Sequence, residues 1–206
     1  PLPKLTDLKL SGCSQLQRLN IACLANLRRL HLGRCSNLEF IDGLKEAINL
    51  ETLHISGSAQ LDNLNGIDNL KALKSLYLGD CSQIKVLDLQ QVHTQMTELN
   101  IYGCSSLSQI MGELLNLKRL QVGGCRALKK LPEFGKNLES LNLSWLEQLD
   151  LPDFSELHKM KSLKLSGRAN LKKIGQLEKL TSLETLELSR CQSLEDVEGI
   201  EKLFHL

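Results

Sequence analysis

A stretch near the start of the chain sets the pattern for the rest of the sequence: Leu5-Thr6-Asp7-Leu8-Lys9-Leu10-Ser11-Gly12-Cys13-Ser14-Gln15-Leu16-Gln17-Arg18-Leu19. Its apolar positions have the spacing L-x-x-L-x-L-x-x-C-x-x-L-x-x-L. The same spacing returns at intervals of 21 to 23 residues, with first positions at Leu27, Leu50, Leu73, Met96, Leu117, Leu138, Met160 and Leu183. Matches that cover the whole chain identify an internal repeat, which is the sequence signature of a solenoid.

The spacing within one repeat predicts its shape. The L-x-L step alternates inward and outward side chains, which is typical of a short strand. The later leucines return the chain across the interior, and successive repeats stack so that their strands form one parallel sheet. We therefore expect an α/β-type leucine-rich-repeat solenoid, a horseshoe with its parallel β-sheet on the concave face. Few residues remain for the convex side, which we expect to be mostly irregular or 3₁₀.

The composition supports a repetitive core. Leucine fills 48 of the 206 positions, whereas the chain has one Trp, two Tyr and four Phe. We expect a single leucine-rich-repeat domain over residues 1–206, with about nine repeats of 21–23 residues. The segment from Gly199 to Leu206 resembles the run into a tenth repeat, and neither end carries a polar cap. Because solenoids need caps to shield their end leucines, we expect the chain to be a fragment of a longer solenoid.

Charge and hydropathy exclude several classes of partner. The 25 basic and 24 acidic side chains produce no bulk field for a phosphate backbone, so we expect no nucleic-acid binding. No apolar run approaches the ~20 residues that span a bilayer, so we expect no membrane insertion. The sequence also lacks the features of a signal peptide. We expect a cytoplasmic protein, or one shared between cytoplasm and nucleus.

Six of the seven cysteines share one repeat position, where the chain turns from strand into core: Cys13, Cys35, Cys81, Cys104, Cys125 and Cys191. The alternatives are metal ligation, a redox switch and buried structural thiols. No C-x-x-C pair or Cys/His cluster has ligand spacing. Strand spacing alone does not forbid a bridge between Cys13 and Cys35, but the odd total favours reduced thiols. We expect structural thiols.

Catalytic patterns are missing. The sequence has no phosphate loop, no H-E-x-x-H and no G-x-S-x-G, and the histidines are scattered over different repeats. We therefore expect no enzyme, no catalytic residue, no metal and no cofactor. An enzyme that uses Cys23 or a surface histidine is the least favoured alternative.

The outward positions of the strands are the predicted binding surface. His31, His54 and Tyr77 should form one lateral row on adjacent strands, which Asn100 and Gln121 continue. Aromatic and arginine side chains dominate binding hot spots, although aromatic residues also favour strands for their own stability. We predict a protein-binding footprint on the concave face that contains Arg29, His31, His54, Tyr77, Asn100, Tyr102, Arg119, Gln121 and Trp145.

A second outward row alternates in charge: Arg28, Glu51, Lys74 and, further along, Lys118, Glu139, Lys161 and Glu184. Opposite charges on neighbouring strands stabilise a sheet. We interpret this row as a device that keeps the strands in register.

Two segments carry a resemblance to a known family: Leu8-Lys9-Leu10-Ser11-Gly12-Cys13-Ser14-Gln15-Leu16 and Leu186-Glu187-Leu188-Ser189-Arg190-Cys191-Gln192-Ser193-Leu194. Together with the Leu-Pro steps at Leu131-Pro132 and Leu151-Pro152, they resemble the leucine-rich-repeat region of plant intracellular nucleotide-binding (NLR) disease resistance proteins, including the TIR type. This resemblance implies recognition of a pathogen effector or guarded host protein, and autoinhibitory contact with other domains of the same receptor. The family's nucleotide chemistry has no matching motif here.

F-box substrate adaptors of ubiquitin ligases are the alternative, because they also carry cysteine at the turn. They usually continue with a Thr-Asp-x-Gly segment, which this sequence lacks.

Overall fold

The computed structural model describes residues 4–92 and 95–205. This part of the chain contains short strands in the order β1 (Asp7–Lys9), β2 (Arg18–Asn20), β3 (Arg29–His31), β4 (Phe40–Asp42), β5 (Thr52–His54), β6 (Ser75–Tyr77), β7 (Val86–Asp88), β8 (Glu98–Asn100), β9 (Gln109–Met111), β10 (Glu113–Leu114), β11 (Arg119–Gln121), β12 (Glu133–Phe134), β13 (Ser140–Asn142), β14 (Ser162–Lys164) and β15 (Thr185–Glu187).

The predicted strands form one parallel sheet of nine strands in the order β1-β3-β5-β6-β8-β11-β13-β14-β15. Equivalent repeat positions face one another, as in the pairing of Leu53 with Leu76 and of Leu76 with Leu99. These central leucines are buried in one continuous core that runs along the solenoid. The predicted solenoid with a parallel sheet is therefore confirmed.

The side opposite the sheet is built from short, dissimilar pieces. Three two-stranded parallel sheets lie there among the described residues, formed by β2-β4, β7-β9 and β10-β12. The helices are four 3₁₀ turns, Leu44–Glu46, Ile67–Asn69, Leu177–Lys179 and Ile200–Lys202. The described residues contain no α-helix, because the short period leaves no room for one. Leu206, the expected start of a tenth repeat, lies outside the described residues.

The same residue of each repeat ends the strand in a left-handed backbone conformation. This turn column consists of Gly12, Arg34, Gly57, Asp80, Gly103, Gly124, Trp145, Gly167 and Arg190, with φ from 61° to 81°. Glycine adopts this conformation without steric cost, which explains its frequency in the column. Where a larger residue stands, as at Asp80 and Trp145, the next repeat supplies a glycine beneath its side chain.

The shared cysteine position is a ladder of buried hydrogen bonds. The thiols donate to carbonyl oxygens of the preceding repeat at Sγ–O distances from 2.9 to 3.5 Å: Cys35 to Leu10, Cys81 to Ile55, Cys104 to Leu78, Cys125 to Ile101 and Cys191 to Leu165. Burial raises the pKa of the Cys81 thiol to about 11 and that of Cys125 to about 12. The prediction of buried structural thiols is confirmed for Cys35, Cys81, Cys104 and Cys125, whereas Cys13 and Cys23 are exposed.

The alternating charge row forms the ion pairs that its spacing predicts over the first repeats. Glu51 accepts from Arg28 at 2.9 Å and from Lys74 at 2.8 Å, so that one carboxylate links three successive repeats. These contacts hold the strands β3, β5 and β6 in register at one edge of the sheet.

Candidate functional site

The exposed face of the nine-stranded sheet brings the predicted residues into one row. His31 pairs with His54, His54 with Tyr77 and Tyr77 with Asn100, while Asn100 pairs with Gln121. The rings of His31 and His54 meet edge to face with their centroids 5.8 Å apart, and His54 meets Tyr77 at 5.4 Å. The row is therefore a continuous ring stack on three adjacent strands, followed by two amide side chains.

Tyr77 is held in place by the next repeats. Its phenol donates a hydrogen bond to the carboxylate of Glu98, which also pairs with the guanidinium of Arg119. Burial raises the pKa of the Tyr77 phenol, and the hydrogen bond to Glu98 raises it further. Because two repeats fix the ring, little side-chain freedom remains to be lost when a partner binds. Tyr77 and Arg119 belong to the predicted footprint, whereas Glu98, which connects them, was not predicted.

His54 lies between the rings of His31 and Tyr77. Burial lowers the pKa of His54, and the neighbouring His31 lowers it further. On the strand beyond His31 lies Lys9, while the carboxylate of Asp7 is already paired with Arg29. The lowered pKa of His54 favours its neutral form at pH 7.

The charged side chains of the nine strands, except Lys9, are paired across strands. Asp7 pairs with Arg29 at one end of the footprint, Glu98 with Arg119 in the middle, and further along Lys164 meets Glu187 at 2.6 Å. Between these pairs the sheet presents rings, amides and small side chains. The face can thus accept a partner through packing and neutral hydrogen bonds.

The amide groups of the row have partners within the sheet. The Asn100 side-chain oxygen accepts from the backbone N–H of Tyr102 at 3.1 Å, and Gln121 donates to the hydroxyl of Ser140 at 3.3 Å. Tyr102 follows the end of its strand, and its ring lies over Gly123 of the next repeat. It remains exposed at the border of the footprint.

Trp145 lies elsewhere. The sequence analysis placed it with the concave footprint, but the residue stands in the turn column, beyond the end of its strand at Asn142. Its indole ring covers Gly167, and the guanidinium carbon of Arg190 is 5.6 Å from the ring centroid. The equivalence of positions 145, 167 and 190 in successive repeats would have identified this edge from the sequence.

Metal ligands, reactive thiols and membrane-spanning helices are the other functional features to consider among the described residues. No three His, Cys, Asp or Glu side chains within residues 4–92 and 95–205 gather as a metal ion would require. Cys23 is exposed and its thiol is reduced. None of the helices in this same part of the chain has the length and apolar character needed to cross a bilayer.

Comparison with known proteins agrees with this architecture. The sequence family described as "At1g61320/AtMIF1, LRR domain" matches residues 3–71. In Arabidopsis thaliana, the putative disease resistance protein At4g19050 is 32% identical over 86% of this chain. The disease resistance protein RPS4B of the same plant is 31% identical over 92% of this chain. The chain spans only 15% and 14% of the lengths of these two relatives.

A solved structure supports the fold. The functional domain of InlJ from Listeria monocytogenes, which includes a cysteine ladder, aligns with 98% of this chain and 52% of that chain, at 18% identity and a TM-score of 0.50. At this identity the likeness concerns the fold alone. The chain therefore has the leucine-rich-repeat fold, and its sequence is similar to parts of plant disease resistance proteins.

Proposed function

We propose that this chain is the protein-recognition module of a plant intracellular immune receptor, and that it binds a pathogen effector or a guarded host protein on the exposed face of its sheet. The observation that carries this proposal is the ring stack of His31, His54 and Tyr77 on adjacent strands, with centroid separations of 5.8 and 5.4 Å. The similarity to disease resistance proteins supports the choice of a receptor.

The row offers a protein partner a rigid aromatic surface. Rigid aromatic side chains supply contact area at a low cost in conformational entropy, and binding energy concentrates on a few such anchors. The ring stack is fixed on one side by Glu98, and the carboxylates of Asp7 and Glu98 are already paired with Arg29 and Arg119. A partner therefore has no unpaired charge to desolvate at the centre of the footprint.

A second part of the proposal concerns the rest of the receptor. The repeats help to keep it inactive through contact with its other domains, in the cytoplasm or in both cytoplasm and nucleus. The chain's small share of its relatives' length is consistent with additional domains that carry the nucleotide chemistry.

A capture experiment tests the recognition surface. The tagged chain and a variant with His54→Ala, Tyr77→Ala and Tyr102→Ala are incubated with extract of infected plant tissue, and the bound proteins are quantified by mass spectrometry. We expect specific partners on the parent chain to fall at least about tenfold on the variant, since these side chains are the proposed anchors.

The matched control removes exposed apolar side chains from the opposite side, at Val86 and Leu115, by substitution with serine. This control should keep the partners. Partners that persist on the face variant and are lost on the control would overturn the proposal, provided that melting curves show both variants to be folded.

A further inference from the structure

Trp145 is the bulkiest of the four non-glycine residues in the turn column, where the backbone conformation favours glycine. Trp145 has φ 64°, in the left-handed region where five of the nine equivalent positions are glycine. A bulky residue there is strained, and such strain persists where the surroundings or the function require the side chain. The indole nevertheless remains 36% exposed, so burial in the core does not explain its presence.

A cavity of about 370 Å³ opens beside the indole ring. Its apolar lining consists of the buried leucines Leu128, Leu146 and Leu149 together with Trp145, and its polar lining of Arg126, Glu147 and Gln148. The cavity lies between the turns of neighbouring repeats, outside the row of His31, His54 and Tyr77. An apolar recess of this size accepts one large apolar side chain.

Two guanidinium groups lie at this edge, one in the lining of the recess and one against the Trp145 ring. Arg126 belongs to its lining, and Arg190 lies over the indole. Arg18, Arg28, Arg29 and Arg119 each pair with a carboxylate, whereas Arg126 and Arg190 form no salt bridge within the described residues. One carboxylate, Glu147, also lines the recess. The two unpaired arginines outnumber Glu147, so this edge favours a partner with negative charge.

We propose that this edge, formed by Trp145, Arg126, Arg190 and the leucine-lined recess, is a second docking surface for an acidic protein segment with a large apolar anchor. The anchor enters the recess against the indole, and the carboxylates beside it pair with the two arginines. Tryptophan and arginine are the residues most enriched in binding hot spots, and arginine pairs with carboxylates in a bidentate geometry. This surface is independent of the proposed footprint on the sheet.

Trp145 is the only tryptophan of the chain, so its fluorescence reports directly on this surface. The experiment titrates the full chain with the synthetic peptide acetyl-Glu-Glu-Leu-Phe-Glu-Glu-amide and follows tryptophan emission. We expect a saturable change. Replacement of the peptide's glutamates by lysines should abolish the change, and replacement of its Leu-Phe pair by alanines should weaken binding by about tenfold or more.

Variants of the chain separate this surface from general electrostatic attraction. The double variant Arg126→Glu, Arg190→Glu should weaken peptide binding by about tenfold or more. Arg34→Glu is the matched control, because Arg34 is another exposed arginine of the turn column but lies repeats away from Trp145. It should bind like the parent chain. An unsaturable signal, an equal response to the lysine peptide or an equal loss with Arg34→Glu would each overturn the proposal.

Discussion

At the scale of single residues, the cysteine ladder shows what one repeat position requires. Arg168 occupies this position in the eighth repeat and is buried. Its Nη2 donates to the carbonyl of Leu149, but its Nε and Nη1 have no hydrogen-bond partner within the described residues. Burial lowers the pKa of Arg168, which reflects the cost of a charge removed from water. The ladder is therefore interrupted by a buried cation that is hydrogen-bonded at only one of its three nitrogens.

Replacement of this arginine by the usual ladder residue should stabilise the protein. We expect Arg168→Cys to raise the free energy of unfolding by about 1–4 kcal/mol, because a buried, incompletely hydrogen-bonded charge is exchanged for a small thiol. Urea denaturation measures the change. Arg34→Ala, at an exposed arginine, should alter stability by less than about 0.5 kcal/mol. A lower midpoint for Arg168→Cys than for the parent chain would show that the guanidinium stabilises the fold.

Because the buried ladder thiols have raised pKa values, the protein should lose stability at alkaline pH. Burial raises the pKa of Cys81 from 9.0 to about 11, so the folded chain keeps this proton at pH values where the unfolded chain releases it. The resulting stability is complete below pH 9 and is lost as the pH rises from 9 through 11. Unfolding midpoints over this range should fall less steeply for Cys81→Ala than for the parent chain. The slope of the midpoint against pH for Cys23→Ala should match that of the parent chain, since Cys23 is exposed. Identical slopes for all three proteins would refute the assignment of this loss of stability to the Cys81 thiol.

At the scale of elements, lateral contacts between equivalent positions hold the strands in register. Glu51 joins Arg28 and Lys74, and the hydrogen bond from Lys74 lowers its pKa most strongly. Glu51→Lys would place three cations side by side, immediately before β3, β5 and β6. We expect its melting temperature to fall by a few degrees, whereas Glu156→Lys, at an exposed glutamate outside any described ion pair, should leave it unchanged. The difference should shrink at high salt, since exposed charges are screened.

Regular elements were predictable because they depend on spacing alone. The L-x-L step gives the strands, and equal repeats place His31, His54 and Tyr77 opposite one another. For the side opposite the sheet, the sequence predicted irregular or 3₁₀ structure in general but not the individual elements. Repeats of 21 to 23 residues leave loops of unequal length there. Whether such a loop becomes a strand such as β7 or a 3₁₀ turn depends on its own sequence.

Side-chain partners were less predictable than backbone positions. Glu98 was an outward residue of known position, but its link to both Tyr77 and Arg119 depends on rotamers that spacing does not determine. The sequence placed Trp145 in the footprint because it follows the outward positions of its strand. The left-handed backbone at this residue, which spacing does not reveal, puts it in the turn column beyond the strand end at Asn142.

At the scale of the whole molecule, the leucine core and the two exposed surfaces have separate roles. Equivalent leucines stack into one continuous core, so each repeat is stabilised by its neighbours. The outward residues are then free to differ between repeats without loss of the fold. This division explains how one scaffold carries a neutral ring stack on its sheet and an aromatic, basic edge beside it.

The central claim is that the ring stack on the sheet contacts the partner. The most direct measurement is the Kd of a captured partner for the parent chain, Tyr77→Ala and Val86→Ser, by isothermal titration calorimetry on proteins that melt at similar temperatures. The account predicts that Tyr77→Ala weakens binding by about tenfold or more and that Val86→Ser leaves the Kd unchanged. An unchanged Kd for Tyr77→Ala, with a weakened one for Val86→Ser, would contradict it.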